Sequence, residues 1–252
     1  MRSAGPCAFA ALACLAVAVS VGCARGGPPR GEPSPVSAGV MDTAGMTRIR
    51  FARGTTSGIL NDSLAAGGEH VYLLGAEQGQ VLLAHAIAWS ERGAAPRGET
   101  VVRVHRADGG ELAAPSGAGP LWTGRLPYTG DYVVRVRAIG GPTPYTLAVQ
   151  IPRRLEVGPE DPSASLSGTA PSRVPVDYLI RGEAGRRLEV ELRAEGDDAH
   201  LHVYGLDDGV QLARLADRQR RYAGRLPGSQ DYVISVVPTV EGTRYGLRVI
   251  LR

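Results

Sequence analysis

From about residue 48 onward, apolar residues recur at every second position in short runs punctuated by Gly, Asp and Pro. That is the period of a strand with one face on a core and the other in solvent. Leu188, Val190 and Leu192 alternate with Glu189, Glu191 and Arg193; Tyr132, Val134 and Val136 with Val133, Arg135 and Arg137; Leu147, Val149 and Ile151 with Ala148 and Gln150. In each case the first set is expected inside and the second outside. Turns at Asp108-Gly109, Thr129-Gly130 and Asp208-Gly209 come at the spacing of an antiparallel sandwich. Outside the N-terminus no window of a dozen residues carries a helical apolar stripe. The pattern predicts an all-β fold of antiparallel, Greek-key or jelly-roll sandwiches.

The strand pattern occurs twice. Tyr72-Leu73-Leu74 with Glu77-Gln78-Gly79-Gln80 returns as Tyr178-Leu179-Ile180 with Glu183-Ala184-Gly185-Arg186, 106 positions on. Gly124-Arg125-Leu126-Pro127 with Asp131-Tyr132-Val133 returns as Gly224-Arg225-Leu226-Pro227 with Asp231-Tyr232-Val233, 100 positions on. A longer loop at residues 90–98 of the first copy absorbs the difference. Tyr145-x-Leu147-x-Val149 and Tyr245-x-Leu247-x-Val249 close the copies. Two consecutive sandwich domains, 48–152 and 153–252, are expected.

The N-terminus differs. Arg2 followed by the apolar stretch from Cys7 to Gly22 has the layout of a secretory signal and is shorter than the ~20 residues a membrane span needs. It ends in Ser20-Val21-Gly22-Cys23, which resembles a bacterial lipobox. Residues 1–22 are therefore read as a signal peptide, Cys23 as the lipidated N-terminus of the mature chain, and 23–47, rich in Gly and Pro, as a flexible tether. The expected location is the bacterial cell envelope, with Ala24 in place of an inner-membrane-retaining Asp directing the protein to the outer membrane, facing periplasm or surface. Removal of Cys7 and Cys14 with the signal leaves no pair for a disulfide, so the mature fold must rest on packing.

Charge narrows the partners. All 28 basic residues are Arg, and residues 23–252 carry 27 of them against 25 acidic residues, a nearly neutral balance that speaks against nucleic acid. Membrane association is expected through the lipid alone. The chain has no Gly-x-Ser-x-Gly elbow, His-Glu-x-x-His helix, phosphate loop or dinucleotide fingerprint. No enzyme activity and no cofactor are expected. His200 and His202 share one face of a strand and could take a metal, but an exposed histidine pair is the commoner outcome. Asp207-Asp208-Gly209 is explained as a turn.

The order Tyr-x-Leu/Ile, Gly-Gln, Asp-Gly-x-x-Leu, Leu-Pro-x-x-Gly-x-Tyr-x-Val-x-Val and Tyr-x-Leu-x-Val resembles the bacterial pre-peptidase C-terminal domain, a β-sandwich module. The first copy, with Ile49-x-Phe51, Gly79-Gln80 and Leu126-Pro127-x-x-Gly130-x-Tyr132, is also similar to the periplasmic inhibitors of goose-type lysozyme. The resemblance implies a non-catalytic lipoprotein whose two sandwiches bind a protein or cell-envelope glycan, with inhibition of a goose-type lysozyme as the alternative. Arg side chains suit the carboxylates of a glycosidase cleft. Two sets are candidates for partner binding: Arg218, Arg220, Arg221 and Tyr222 in the second copy, and Arg135 and Arg137 on the outward face of the first. If Tyr222 faces the core, Arg221 points the other way and that stretch is merely solvated.

Overall fold

The computed structural model describes residues 45–53, 55–90, 96–114, 117–158, 160–170 and 174–252. The signal peptide, Cys23 and nearly all of the tether lie outside the described residues. Among these described residues, each copy has nine strands. The first copy holds β1 (Thr47–Arg48), β2 (Ser57–Leu64), β3 (Glu69–Ala76), β4 (Val81–Ala88), β5 (Gly98–Arg106), β6 (Glu111–Leu112), β7 (Leu121–Arg125), β8 (Gly130–Gly140) and β9 (Thr143–Gln150). The second holds β10 (Arg153–Arg154), β11 (Ser163–Ala170), β12 (Val176–Gly182), β13 (Arg187–Ala194), β14 (Ala199–Gly205), β15 (Gln211–Ala213), β16 (Arg221–Arg225), β17 (Gln230–Pro238) and β18 (Thr243–Leu251).

The strands form four sheets, two per copy and of the same order in both. In the first copy these are β1-β3-β8-β5-β6 and β2-β9-β4-β7; in the second, β10-β12-β17-β14-β15 and β11-β18-β13-β16. The all-β expectation holds, with one departure from antiparallel pairing: β1 runs parallel to β3, and β10 parallel to β12. Each is a two-residue lead-in strand at a sheet edge.

Each copy encloses its own core. Leu82, Trp122, Tyr132 and Leu147 fill the first, and Leu188, Leu201, Tyr232 and Leu247 the second. The repeated motifs have local causes. Gly79 and Gly185 both turn at φ +82, a conformation costly to residues with a Cβ, and their N–H groups donate to Leu126 O and Leu226 O at 2.8 and 2.9 Å. In the Leu-Pro turn the tyrosine four positions on closes the loop: Tyr132 OH donates to Tyr128 O at 2.6 Å and Tyr232 OH to Gly228 O at 2.7 Å.

The expectation of one solvated face fails where the two copies meet. On β4 and β17 nearly every residue is buried. A third cluster joins the copies: Val81 and Leu83 from β4, with Leu121 beside them, pack on Leu179, Tyr204, Leu206 and Val233. The outward face of the first copy's β4 sheet is thus laid on the outward face of the second copy's β12-β17-β14 sheet, which is why Ala148 and Gln150, expected in solvent, are buried.

Candidate functional site

Stacking of the copies makes the second copy's outward face a template for its counterpart in the first. Strand register puts Asp177, Leu179, Val233, Ser235, His202 and Tyr204 on the covered face. Polar contacts hold it. His85 Nε2 lies 2.9 Å from Asp177 Oδ2. Gln150 Nε2 donates to the same oxygen and, at 3.0 Å, to Pro175 O. Thr123 Oγ1 and Tyr204 OH are 3.1 Å apart. Burial holds the His202 imidazole below its ordinary pKa, with the Asp177 charge opposing and His85 adding to the effect, so this ring stays neutral between the copies.

Asp231, whose side chain is 2% exposed, ties the junction at its rim. Arg154 grips both its oxygens at 2.7 and 2.9 Å, and Arg125 reaches across from the first copy at 2.5 Å. Burial pushes this carboxyl up, but the two guanidinia outweigh it and hold it below the usual carboxylate range. The first copy repeats only the half of this device that lies within one copy: Arg48 holds Asp131 in a bidentate pair at 2.8 Å, and both side chains remain more than a third exposed.

At the register positions equivalent to the covered face, the first copy carries Val71, Leu73, Val133, Arg135, Arg103 and His105. Arg135 replaces Ser235 and Arg103 replaces His202, directly opposite each other on β8 and β5. Arg137 lies two residues further along β8, exposed and in no ion pair among the described residues. These arginines line a groove of about 670 Å³ with Glu69, Val101 and Ile139. Arg135 donates to Glu69 at 2.6 Å and Arg103 to Glu111 at 3.3 Å, so the carboxylates offset part of the positive charge and orient the guanidinia. Ile139, 52% exposed, adds an apolar edge.

The second candidate set is dispersed into local roles. Arg218 closes the short 3₁₀ turn Leu215–Asp217 in a left-handed conformation, φ 48. Arg220 donates to the carbonyl oxygens of Ala194 and Gly196. Tyr222 packs against the second core, and Arg221 consequently points outward, where its guanidinium donates to Glu191 Oε1 at 3.0 Å. The structure brings Arg135 and Arg137 into one groove; of the second set it brings Arg221 and Tyr222 together at a hollow of about 210 Å³ that Glu189, Glu191 and Arg248 also line, with Arg218 and Arg220 outside it.

Among the described residues no group of three or more His, Cys, Asp or Glu surrounds a common point. The expected exposed histidine pair is not found: His200 is buried, and its two ring nitrogens have no hydrogen-bond partner among the described residues. Asp208 accepts from Val210 N at 2.9 Å and from Gln230 Nε2 at 2.7 Å, as a turn residue does. Sequence reasoning missed Arg103 and the interface residues His85 and Asp177. A signal for the interface was present, because β4 reads Val-Leu-Leu-Ala-His-Ala-Ile-Ala, a continuous apolar run, while its counterpart β13 reads Arg-Leu-Glu-Val-Glu-Leu-Arg-Ala. A run without alternation is the mark of a strand covered on both faces.

No family model matches the chain, and no curated protein matches it. Among solved structures, the periplasmic inhibitor of g-type lysozyme from Aeromonas hydrophila is 22% identical at a TM-score of 0.34, covering 42% of this chain and 94% of its own. The corresponding inhibitor of Salmonella Typhimurium is 21% identical at a TM-score of 0.31, over 39% of this chain and 96% of its own. The PBSX exported protein XepA is 13% identical at a TM-score of 0.28, over 78% of this chain and 86% of its own. Likenesses this distant carry no argument about function.

Proposed function

We propose that the chain is a non-catalytic binding lipoprotein of the bacterial cell envelope, anchored through Cys23, that takes a protein partner presenting carboxylates on the outward face of β3, β8 and β5. One observation carries this reading. Two faces built on the same strand order have diverged: the second copy's face has no arginine at these positions, pairs its carboxylate, Asp177, with His85 and is covered by the first copy, whereas the first copy's face carries Arg103, Arg135 and Arg137 around a groove. Arginine is the residue suited to a protein's carboxylates, because its fork makes two charge-assisted hydrogen bonds at once.

Glycosidases flank the scissile bond with a carboxylate pair. The same three arginines therefore favour a sharper reading, inhibition of a goose-type lysozyme. The test is a turbidity assay with goose-type and chicken-type lysozymes, beside direct binding, on the wild type and an Arg103→Ala/Arg135→Ala/Arg137→Ala variant. Inhibition and binding should weaken as salt screens charges beyond about 10 Å at 0.1 M, and the triple variant should lose both. A wild type that inhibits neither enzyme at micromolar concentration removes the lysozyme reading. A triple variant that still binds as the wild type does removes the face.

A further inference from the structure

The tyrosine pair that ends each core is common to both copies, but its surroundings are not. In the second copy Tyr178 OH and Tyr245 OH lie 2.5 Å apart, and the flanking positions are Gly168, paired with Tyr245, and Val176. In the first copy Tyr72 OH and Tyr145 OH again lie 2.5 Å apart, and the flanking positions are Asp62, paired with Tyr145, and His70. Both additions turn a donor atom toward the phenols. Tyr72 OH to Asp62 Oδ2 is 3.2 Å, Tyr145 OH to His70 Nδ1 is 2.9 Å, and His70 Nδ1 to Asp62 Oδ2 is 3.1 Å. Asp62 Oδ1 is occupied by the N–H of Ser63 at 2.8 Å, which fixes the carboxylate with its second oxygen in the cluster.

The four atoms therefore close a ring with edges of 3.2, 2.5, 2.9 and 3.1 Å. Hydrogen bonds satisfy each of the four atoms but cannot fill all four edges at once. Two phenols and one Nδ1–H supply three protons for four edges. A flat ring of these edges has its centre about 2.1 Å from each donor, within the range of metal bonds to His nitrogen and carboxylate oxygen.

From this ring we propose that Asp62, His70, Tyr72 and Tyr145 bind a ferric ion. The choice of ion follows from charge. One carboxylate and two phenolates supply three negative charges, imidazole supplies none, and a buried site is least costly when its charges cancel. The ion displaces the two phenol protons to solvent, as metal coordination does for other weak acids, and selects the His70 tautomer that carries its proton on Nε2 and offers the Nδ1 lone pair. Tyr72 and Tyr145 are buried while the side chains of His70 and Asp62 are 36% and 45% exposed, so solvent reaches the cluster from the side of His70 and Asp62. The location, at one end of the first core between β2, β3 and β9, is separate from the arginine groove.

The second copy provides the control. The purified full chain is titrated with Fe(III) supplied as its nitrilotriacetate complex, alongside Zn(II) and Cu(II). One Fe(III) per chain with a visible phenolate-to-iron charge-transfer band is expected. Asp62→Asn with His70→Val should abolish the band and weaken binding at least about 100-fold, beyond what loss of an outer-shell partner alone costs, with an unchanged β-type circular dichroism spectrum. Tyr178→Phe should alter neither. A wild type without the band, a band surviving the double variant, a band lost in Tyr178→Phe, or preferential uptake of Zn(II) or Cu(II) by the same residues overturns the assignment.

Discussion

Asp131 and Asp231 occupy equivalent positions, each gripped by an equivalent arginine, yet they should differ in what their loss costs. Asp231→Asn keeps the shape of the side chain and removes its charge. In the wild type that carboxylate is 2% exposed and accepts three charge-assisted hydrogen bonds, two from Arg154 and one from Arg125. Removing one member of a fully buried pair costs about 3–5 kcal/mol. Here the two guanidinia are 38% and 44% exposed and can rehydrate, which lowers the expected cost to about 2–3 kcal/mol. At Asp131 the carboxylate and Arg48 are both more than a third exposed, and the pair binds nothing across a junction. Asp131→Asn should accordingly cost markedly less. The assay is urea unfolding of the full chain by circular dichroism and tyrosine fluorescence, with unchanged slopes licensing a comparison of midpoints. A double-mutant cycle of Arg125→Ala with Asp231→Asn should return a coupling of about 1 kcal/mol or more, because the two groups touch across the junction. Equal costs at Asp131 and Asp231 would refute the claim that burial between the copies sets the value of this pair.

Other outcomes follow from the same geometry. Asp231 is held below the usual carboxylate range, so its contribution is full above about pH 4 and is lost as the pH falls through its lowered folded value; the stability gap between wild type and Asp231→Asn should close on acidification, and a gap that widens refutes the sign. Leu83→Ala, at a site with no exposure between the two sheets, should cost about 2–4 kcal/mol in urea unfolding, whereas Glu189→Ala, its solvated counterpart on β13, should cost little. Residues 48–152 and 153–252 are proposed to fold separately, each with its own core, but expression of either alone uncovers half of the junction; sedimentation should show self-association of the separate halves and a complex on mixing, and two monomeric, non-interacting halves would show the junction to be dispensable. Cys23→Ser should abolish acyl labelling and membrane retention, and a variant that still fractionates with membranes excludes lipidation at Cys23.

Local patterns in the sequence determined the fold class. The period of two, the turn glycines and the double occurrence of the Leu-Pro and Tyr-x-Leu motifs reflect interactions between residues a few positions apart: Gly79 and Gly185 need their positive φ wherever the sheets lie, and Tyr132 and Tyr232 close turns that begin four residues earlier. The outward orientation of Arg221 followed equally from Tyr222 facing in. Tertiary structure decided which outward faces remained outward. Alternation distinguishes the two sides of a strand but does not say what is laid on the second side. The covering of Asp177 by His85, and of Tyr204 by Val81, Leu83 and Thr123, depends on residues some 80 to 120 positions apart. For the same reason Arg103 and Arg135 share a groove only because β5 and β8 are neighbours in the sheet, and Asp62, His70, Tyr72 and Tyr145 meet only because β2, β3 and β9 converge at one end of a core. Short-range chemistry is written along the chain; the partners of an outward side chain are set by how sheets stack, and no local pattern contains that.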